Sequence, residues 1–126
     1  MAKKHTYSAL STPQKVKTIV DWLFDKKAMD MLALDLSRET SPSEAVVIVT
    51  ASSARHGQSL ADHVLTSARN ENFEFLSMEG YAVGQWILVD LNDVIVHIFQ
   101  SENRAFFRLD DLWPAAGVLA DTRKEA

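Results

Sequence analysis

The sequence predicts an α/β domain: a mixed β-sheet of about five strands flanked by helices, in the order α-β-β-α-β-β-β-α. Three observations predict it. The uninterrupted β-branched run Ala45-Val46-Val47-Ile48-Val49 reads as a strand buried on both faces. A helical pattern and a further strand follow it, a unit expected to be parallel and right-handed. Two apolar runs, 86–91 and 94–99, are separated only by Asn92-Asp93 and read as an antiparallel hairpin, so the sheet is mixed.

The elements follow in order. Ser11-Thr12-Pro13 opens the first helix with a hydroxyl cap and a proline in the first turn. Val16, Ile19, Val20, Leu23 and Phe24 give it one apolar face, and Lys26 and Lys27 close it with the sign that suits the dipole. Met29 to Leu36 is a short apolar strand, and Ser37 to Glu44, with Pro42, is a loop. After the central strand, Ser52-Ser53 cap a helix whose apolar face is Leu60, Ala61, Val64, Leu65 and Ala68. Phe73 to Met78 is the next strand. Ser101 caps a last helix carrying Phe106, Leu109, Leu112 and Trp113, which Pro114 ends. With no repeat, low-complexity run or linker, residues 12–113 form one domain between a flexible N-terminus, 1–11, and a flexible tail, 114–126.

Composition narrows the chemistry. The 126 residues are 47% hydrophobic and 24% charged, a globular balance with material for a core. The absence of cysteine removes disulfides, thiolate metal sites and thiol nucleophiles. No apolar run is long enough to span a membrane, and MAKKHTYSAL has no apolar signal core, so a cytoplasmic protein of a reducing compartment is expected.

Charge is unevenly spread. Residues 1–27 carry six lysines against two aspartates, +4, whereas 71–111 carry eight carboxylates against two arginines, −6. That acidic segment suits a basic protein better than nucleic acid, so no DNA partner is expected. The plainer alternative is a set of solvated carboxylates on loops and helix faces.

Catalytic constellations are weak. His56 and His63 lie seven residues apart on one helix, about 10 Å, where chelating pairs need three or four, and no metal or other cofactor is expected. No G-x-S-x-G elbow accompanies Ser52 and Ser53. The stretch around Ser52, Ser53 and Arg55 has a single glycine, Gly57, too few for a phosphate loop, but as a helix start it could take an anion. Metal-dependent nucleotidyl transfer would use paired strand carboxylates. Asp90 and Asp93 are the nearest candidates, and position 92, which would put a second ligand on the same strand face, is Asn. No catalytic residue is assigned.

The hairpin is the informative element. With Asn92-Asp93 as its turn, Leu91 pairs with Val94, Asp90 with Ile95, Leu88 with His97 and Trp86 with Phe99. One face is then aliphatic throughout: Ile87, Val89, Leu91, Val94, Val96 and Ile98. The other mixes Trp86, Leu88, Asp90, Ile95, His97 and Phe99. That mixture is either the centre of a protein interface or a core face beneath another helix, and the pattern alone leaves both open.

The same hairpin carries a resemblance. Glu79-Gly80 and the run from Gln85 through Trp86 and Asp90 to His97 and Phe99 resemble the signature of the Iojap-related ribosomal silencing factors. Further matches are Leu34-Asp35, Val47-Ile48-Val49-Thr50, Ser53-x-Arg55-His56, Ala61-Asp62-His63-Val64 and Leu109-x-x-Leu112-Trp113. Departures are Asn92 and Ala51, where the family usually has glycine, and Ser43-Glu44, where it has Thr-Asp. The resemblance implies a nucleotidyltransferase-like fold without catalysis. It also implies a translation repressor that binds the large ribosomal subunit at its intersubunit face, on the fourteenth large-subunit protein, and blocks joining of the small subunit. Homodimers occur in the family. The docking surface so implied centres on Trp86, Leu88 and Asp90, with Glu79, Asp93 and His97 around them.

Overall fold

The first helix, α1 (Thr12–Asp25), starts where its capping residues place it. Ser11 Oγ accepts the Gln14 N–H while the Gln14 side chain accepts the Ser11 N–H, a reciprocal capping box. Val16, Ile19 and Leu23 are buried as their spacing predicts. Phe24 is not: it is 68% exposed, and Trp22 takes the interior place against the Phe73 ring, 5.1 Å between centroids. The helix packs on both the sheet and the second helix, so its buried stripe turns toward the seam between them.

The computed structural model describes residues 7–123. After α1 come β1 (Met29–Asp35), β2 (Ala45–Ala51), α2 (Ala54–Asn70), β3 (Ser77–Glu79), β4 (Trp86–Asp90), β5 (Val94–Gln100), α3 (Ser101–Phe107), a 3-10 turn (Leu109–Asp111) and β6 (Gly117–Asp121). The strands form one mixed sheet in the order β3-β4-β5-β2-β1-β6. All seven residues of β2 are buried, as a continuous β-branched strand should be. Its parallel neighbour is β5, with Val47 opposite Val96, and the other pairings are antiparallel. The strand after α2 does run parallel to β2, but at the far edge, with β4 and β5 between them. No helix among the described residues is long and apolar enough to cross a membrane.

Three expectations are corrected. The segment taken as a flexible tail holds β6, which makes a sixth strand. β1 buries Met31 to Leu34 and needs a neighbour on its outer edge, and β6 supplies it. The Thr122 N–H donates to the Met31 carbonyl at 2.7 Å, and Thr122 Oγ1 accepts the Met31 N–H at 2.9 Å. Residues 1–6 of the expected flexible N-terminus lie outside the described residues, and Ser8 donates its N–H to the Asn72 carbonyl at 2.9 Å.

The strand expected at 73–78 is confined to Ser77–Glu79, because Phe73 is drawn into the core beside Trp22. The last helix is shorter than expected and is not capped by Ser101; Gln100 stands at the cap position without a side-chain bond. The helix stops at Phe107, where Arg108 turns left-handed at φ 52°.

Arg104 explains that break. Its Nε and Nη2 donate to the two carboxylate oxygens of Asp110 at 3.1 and 2.7 Å. In an unbroken helix residues six apart lie about 120° away from each other around the axis, too far for this fork. Arg104 Nη1 also donates to Thr50 Oγ1 at 3.0 Å and to the Asp30 carbonyl, which pins the C-terminal segment to β1 and β2.

The sheet separates two cores. On one face α1 and α2 close over Val47, Val49, Ile87, Val89, Val96 and Ile98. On the other, a smaller cluster of Leu32, Leu34, Leu36, Val46, Ile48 and Phe99 is covered by Leu109, Trp113 and Ala116.

Candidate functional site

The hairpin turn fixes which side chains share a face. Asn92 takes φ 77° and Asp93 does not go positive, the pattern of a two-residue turn with a left-handed first position. Asn tolerates that position better than other non-glycine residues. The Asp90 carboxylate accepts the Asn92 N–H at 2.8 Å and supports the turn. The resulting register pairs Trp86 with Phe99, Leu88 with His97 and Asp90 with Ile95. All six residues of the aliphatic face, Ile87 to Ile98, are fully buried.

The opposite face is neither open nor sealed. Phe99 lies beneath it, fully buried, and the Trp86 indole stacks on Phe99 with centroids 4.8 Å apart. From the side, Phe107 of α3 approaches the indole to 4.7 Å. The remaining surface of Trp86 borders a shallow groove of about 320 Å³, lined with Glu79, Gly80 and Leu88. Gly80, at φ 79°, belongs there because a Cβ would fall 2.1 Å from the Trp86 carbonyl oxygen.

His97 sets the indole's orientation from behind. Trp86 Nε1 donates to His97 Nδ1 at 3.0 Å. Burial pushes the His97 pKa down to about 4, so at neutral pH the ring is uncharged and Nδ1 is free to accept. The imidazole is 8% exposed, so it acts beneath the surface, through Trp86.

The six predicted contact residues therefore divide. Trp86, Leu88, Asp90 and His97 share the face, and Glu79, paired opposite Leu88 on β3, stands exposed at its edge. Asp93 is engaged elsewhere, in an ion pair with Lys15 of α1. Lys15 is itself buried, bonds the Leu91 carbonyl at 3.4 Å and lies 5.1 Å over the Phe73 ring. This draws the Asp93 carboxylate toward the helical side of the sheet, while Asp90 stays on the mixed side.

The expected anion contact is largely occupied. Ser53 Oγ accepts the His56 N–H at 3.0 Å as the cap of α2. Ser52 directs its N–H and hydroxyl to His56 Nδ1 at 2.9 and 3.1 Å, and His56 Nε2 donates to the Lys26 carbonyl at 2.8 Å. Arg55 is exposed beside them.

Sequence reasoning missed Arg104 and Phe107, which stand beside this face in the structure. Phe106 sits on the apolar side of the last helix in the sequence pattern, yet the structure leaves it 79% exposed.

These features define a mixed α/β domain with one closed sheet face and one partly open, aromatic, acid-edged face. A family model described as ribosomal silencing factor during starvation matches residues 9–126, and the chain belongs to that family. It is 35% identical over 97 residues to the ribosomal silencing factor RsfS of Bacillus subtilis, covering 77% of this chain and 81% of that one. The RsfS of Halalkalibacterium halodurans is 30% identical over 104 residues, covering 82% and 89%. A crystal structure of a Chromobacterium violaceum protein matches with a TM-score of 0.81 at 26% identity, covering 93% of this chain and 97% of that one.

Proposed function

We propose that the protein represses translation without catalysis. It binds the large ribosomal subunit at its intersubunit face, on the fourteenth large-subunit protein, and excludes the small subunit by occupying its place. Trp86, Leu88 and Asp90 form the centre of the contact, with Glu79 at its edge. His97 serves it from behind, and Asp93 closes the turn that sets the register. The observation that carries this reading is the Trp86 indole, partly exposed yet fixed by Phe99, Phe107 and a hydrogen bond to His97. A rigid, partly exposed tryptophan beside carboxylates is the composition of an interface anchor. The −6 charge over residues 71–111 suits a basic ribosomal protein.

Nucleotidyl transfer is disfavoured by geometry. Asp90 supports the turn on one side of the sheet, while Asp93 pairs with Lys15 on the other, so the two do not converge on one metal pair. The protein then works in the compartment of its ribosomes, the cytoplasm, with no cofactor. Cosedimentation with purified large subunits tests the proposal. The protein should pellet with large subunits and, when added before small subunits, prevent 70S particles from forming. Failure to pellet, or pelleting with undiminished subunit joining, overturns it.

A further inference from the structure

We infer that α3 supplies a second anchor of the docking face, Phe106, which inserts into an apolar recess of the same basic protein partner. This rests on the docking reading above and extends it to residues outside the hairpin. Phe106 is 79% exposed, and two other apolar side chains are nearly as open, Phe24 at 68% and Val83 at 67%. Single exposed apolar residues are ordinary. Phe106 differs in continuity: its ring meets Phe107 edge-on at 5.1 Å, and Phe107 meets Trp86 at 4.7 Å. The three rings make one unbroken aromatic surface running from the hairpin onto α3.

The platform beneath is rigid. Arg104, one turn before Phe107, is buried and holds Asp110, Thr50 and the Asp30 carbonyl, so α3 is fastened to the sheet before any partner arrives. An anchor presented on a fixed element loses little conformational freedom on binding. Charge selects the occupant. Glu102 lies four residues before Phe106, on the same side of the helix, and Glu79 edges the groove by Trp86. A second copy docking this face on itself would bring two acid-edged patches together, whereas a basic protein meets the carboxylates with opposite charge.

The experiment compares Phe106→Ala with Trp86→Ala and wild type, measuring affinity for purified large ribosomal subunits, thermal melting and self-association by analytical ultracentrifugation. Phe106→Ala should melt with wild type and bind about tenfold or more weakly, and Phe106→Leu should recover part of that loss. Wild-type affinity in Phe106→Ala, with binding lost in Trp86→Ala, overturns the second anchor and leaves the docking reading standing. Wild-type affinity in both variants overturns both. Loss of a wild-type dimer in Phe106→Ala with unchanged subunit binding assigns the patch to a second copy and also overturns it.

Discussion

The two faces of the sheet are built from alternate residues of the same strands and come to opposite ends. The face under α1 and α2 is aliphatic, dry and closed by two helices of 14 and 17 residues. The face under the C-terminal segment mixes aliphatic and aromatic side chains with a buried imidazole, and its cover is a seven-residue helix, a 3-10 turn and the irregular stretch that holds Trp113 and Ala116. Long amphipathic helices can seal a face, whereas a short one leaves part of it available. The difference separates stability, held mainly on the first face, from the recognition proposed for the second.

The largest effect tests the closed face. Ile98, 1% exposed, should cost about 2–5 kcal/mol of folding stability when cut to alanine, as buried aliphatic truncations do. That is a large share of what a small domain has. Denaturant unfolding measures it, and a loss under 1 kcal/mol would mean that this face is not the stabilising one.

Next is acid sensitivity, which belongs to the open face. The His97 pKa is about 4 when folded and near 6.5 when unfolded, so between those values the unfolded chain binds the extra proton. Its contribution is complete above pH 6.5 and falls away as pH drops toward 4, on the order of 3 kcal/mol over the window. Protonation also removes the acceptor that holds Trp86. His97→Gln should flatten the stability profile between pH 6.5 and 4, and an unchanged slope would remove His97 as its source.

Trp86→Ala sharpens the comparison. The indole is only partly buried, so truncation should cost about 1–3 kcal/mol of stability, less than a fully buried tryptophan. Binding to large subunits should fall about thirtyfold or more. If stability collapses while residual binding per folded molecule is normal, the open face is merely a second core.

The smallest effect lies at the edge. Glu79→Gln should weaken binding by severalfold at most and leave melting unchanged. It should also reduce the dependence of affinity on salt, because an exposed charge acts mainly through screened, long-range attraction. A tenfold loss that is insensitive to salt would place Glu79 at the centre of the contact.

The hairpin was legible to the residue. Strict alternation and an Asn-led two-residue turn permit one register, and every pair from Trp86–Phe99 to Asp90–Ile95 follows it. Family resemblance pointed to the same face. What the sequence concealed depends on non-local partners. β6 is short, holds Gly117 and Ala120 and lacks strong β propensity, so its existence comes from the exposed edge of β1 rather than its own preference. The end of α3 is set by Arg104 reaching Asp110, a pairing possible only after the helix has stopped. Asp93 looked like a free turn carboxylate because nothing local reveals Lys15, 78 positions earlier.

The parallel pairing of β2 with β5 also sets an order of events during synthesis. Ala45 pairs with Val94, so the most apolar strand of the chain emerges about fifty residues before the strand that covers its inner edge. β4 and β5 can zip locally through their two-residue turn within microseconds. β2 can pair locally with β1, but its other edge must wait until α2, β3 and β4 have been made. At about 5–20 residues per second, the nascent chain carries an uncovered β-branched edge for roughly 2–10 s. Through that interval the half-made protein is a client for whatever shields hydrophobic strands at the ribosomal exit, and its aggregation hazard is concentrated there.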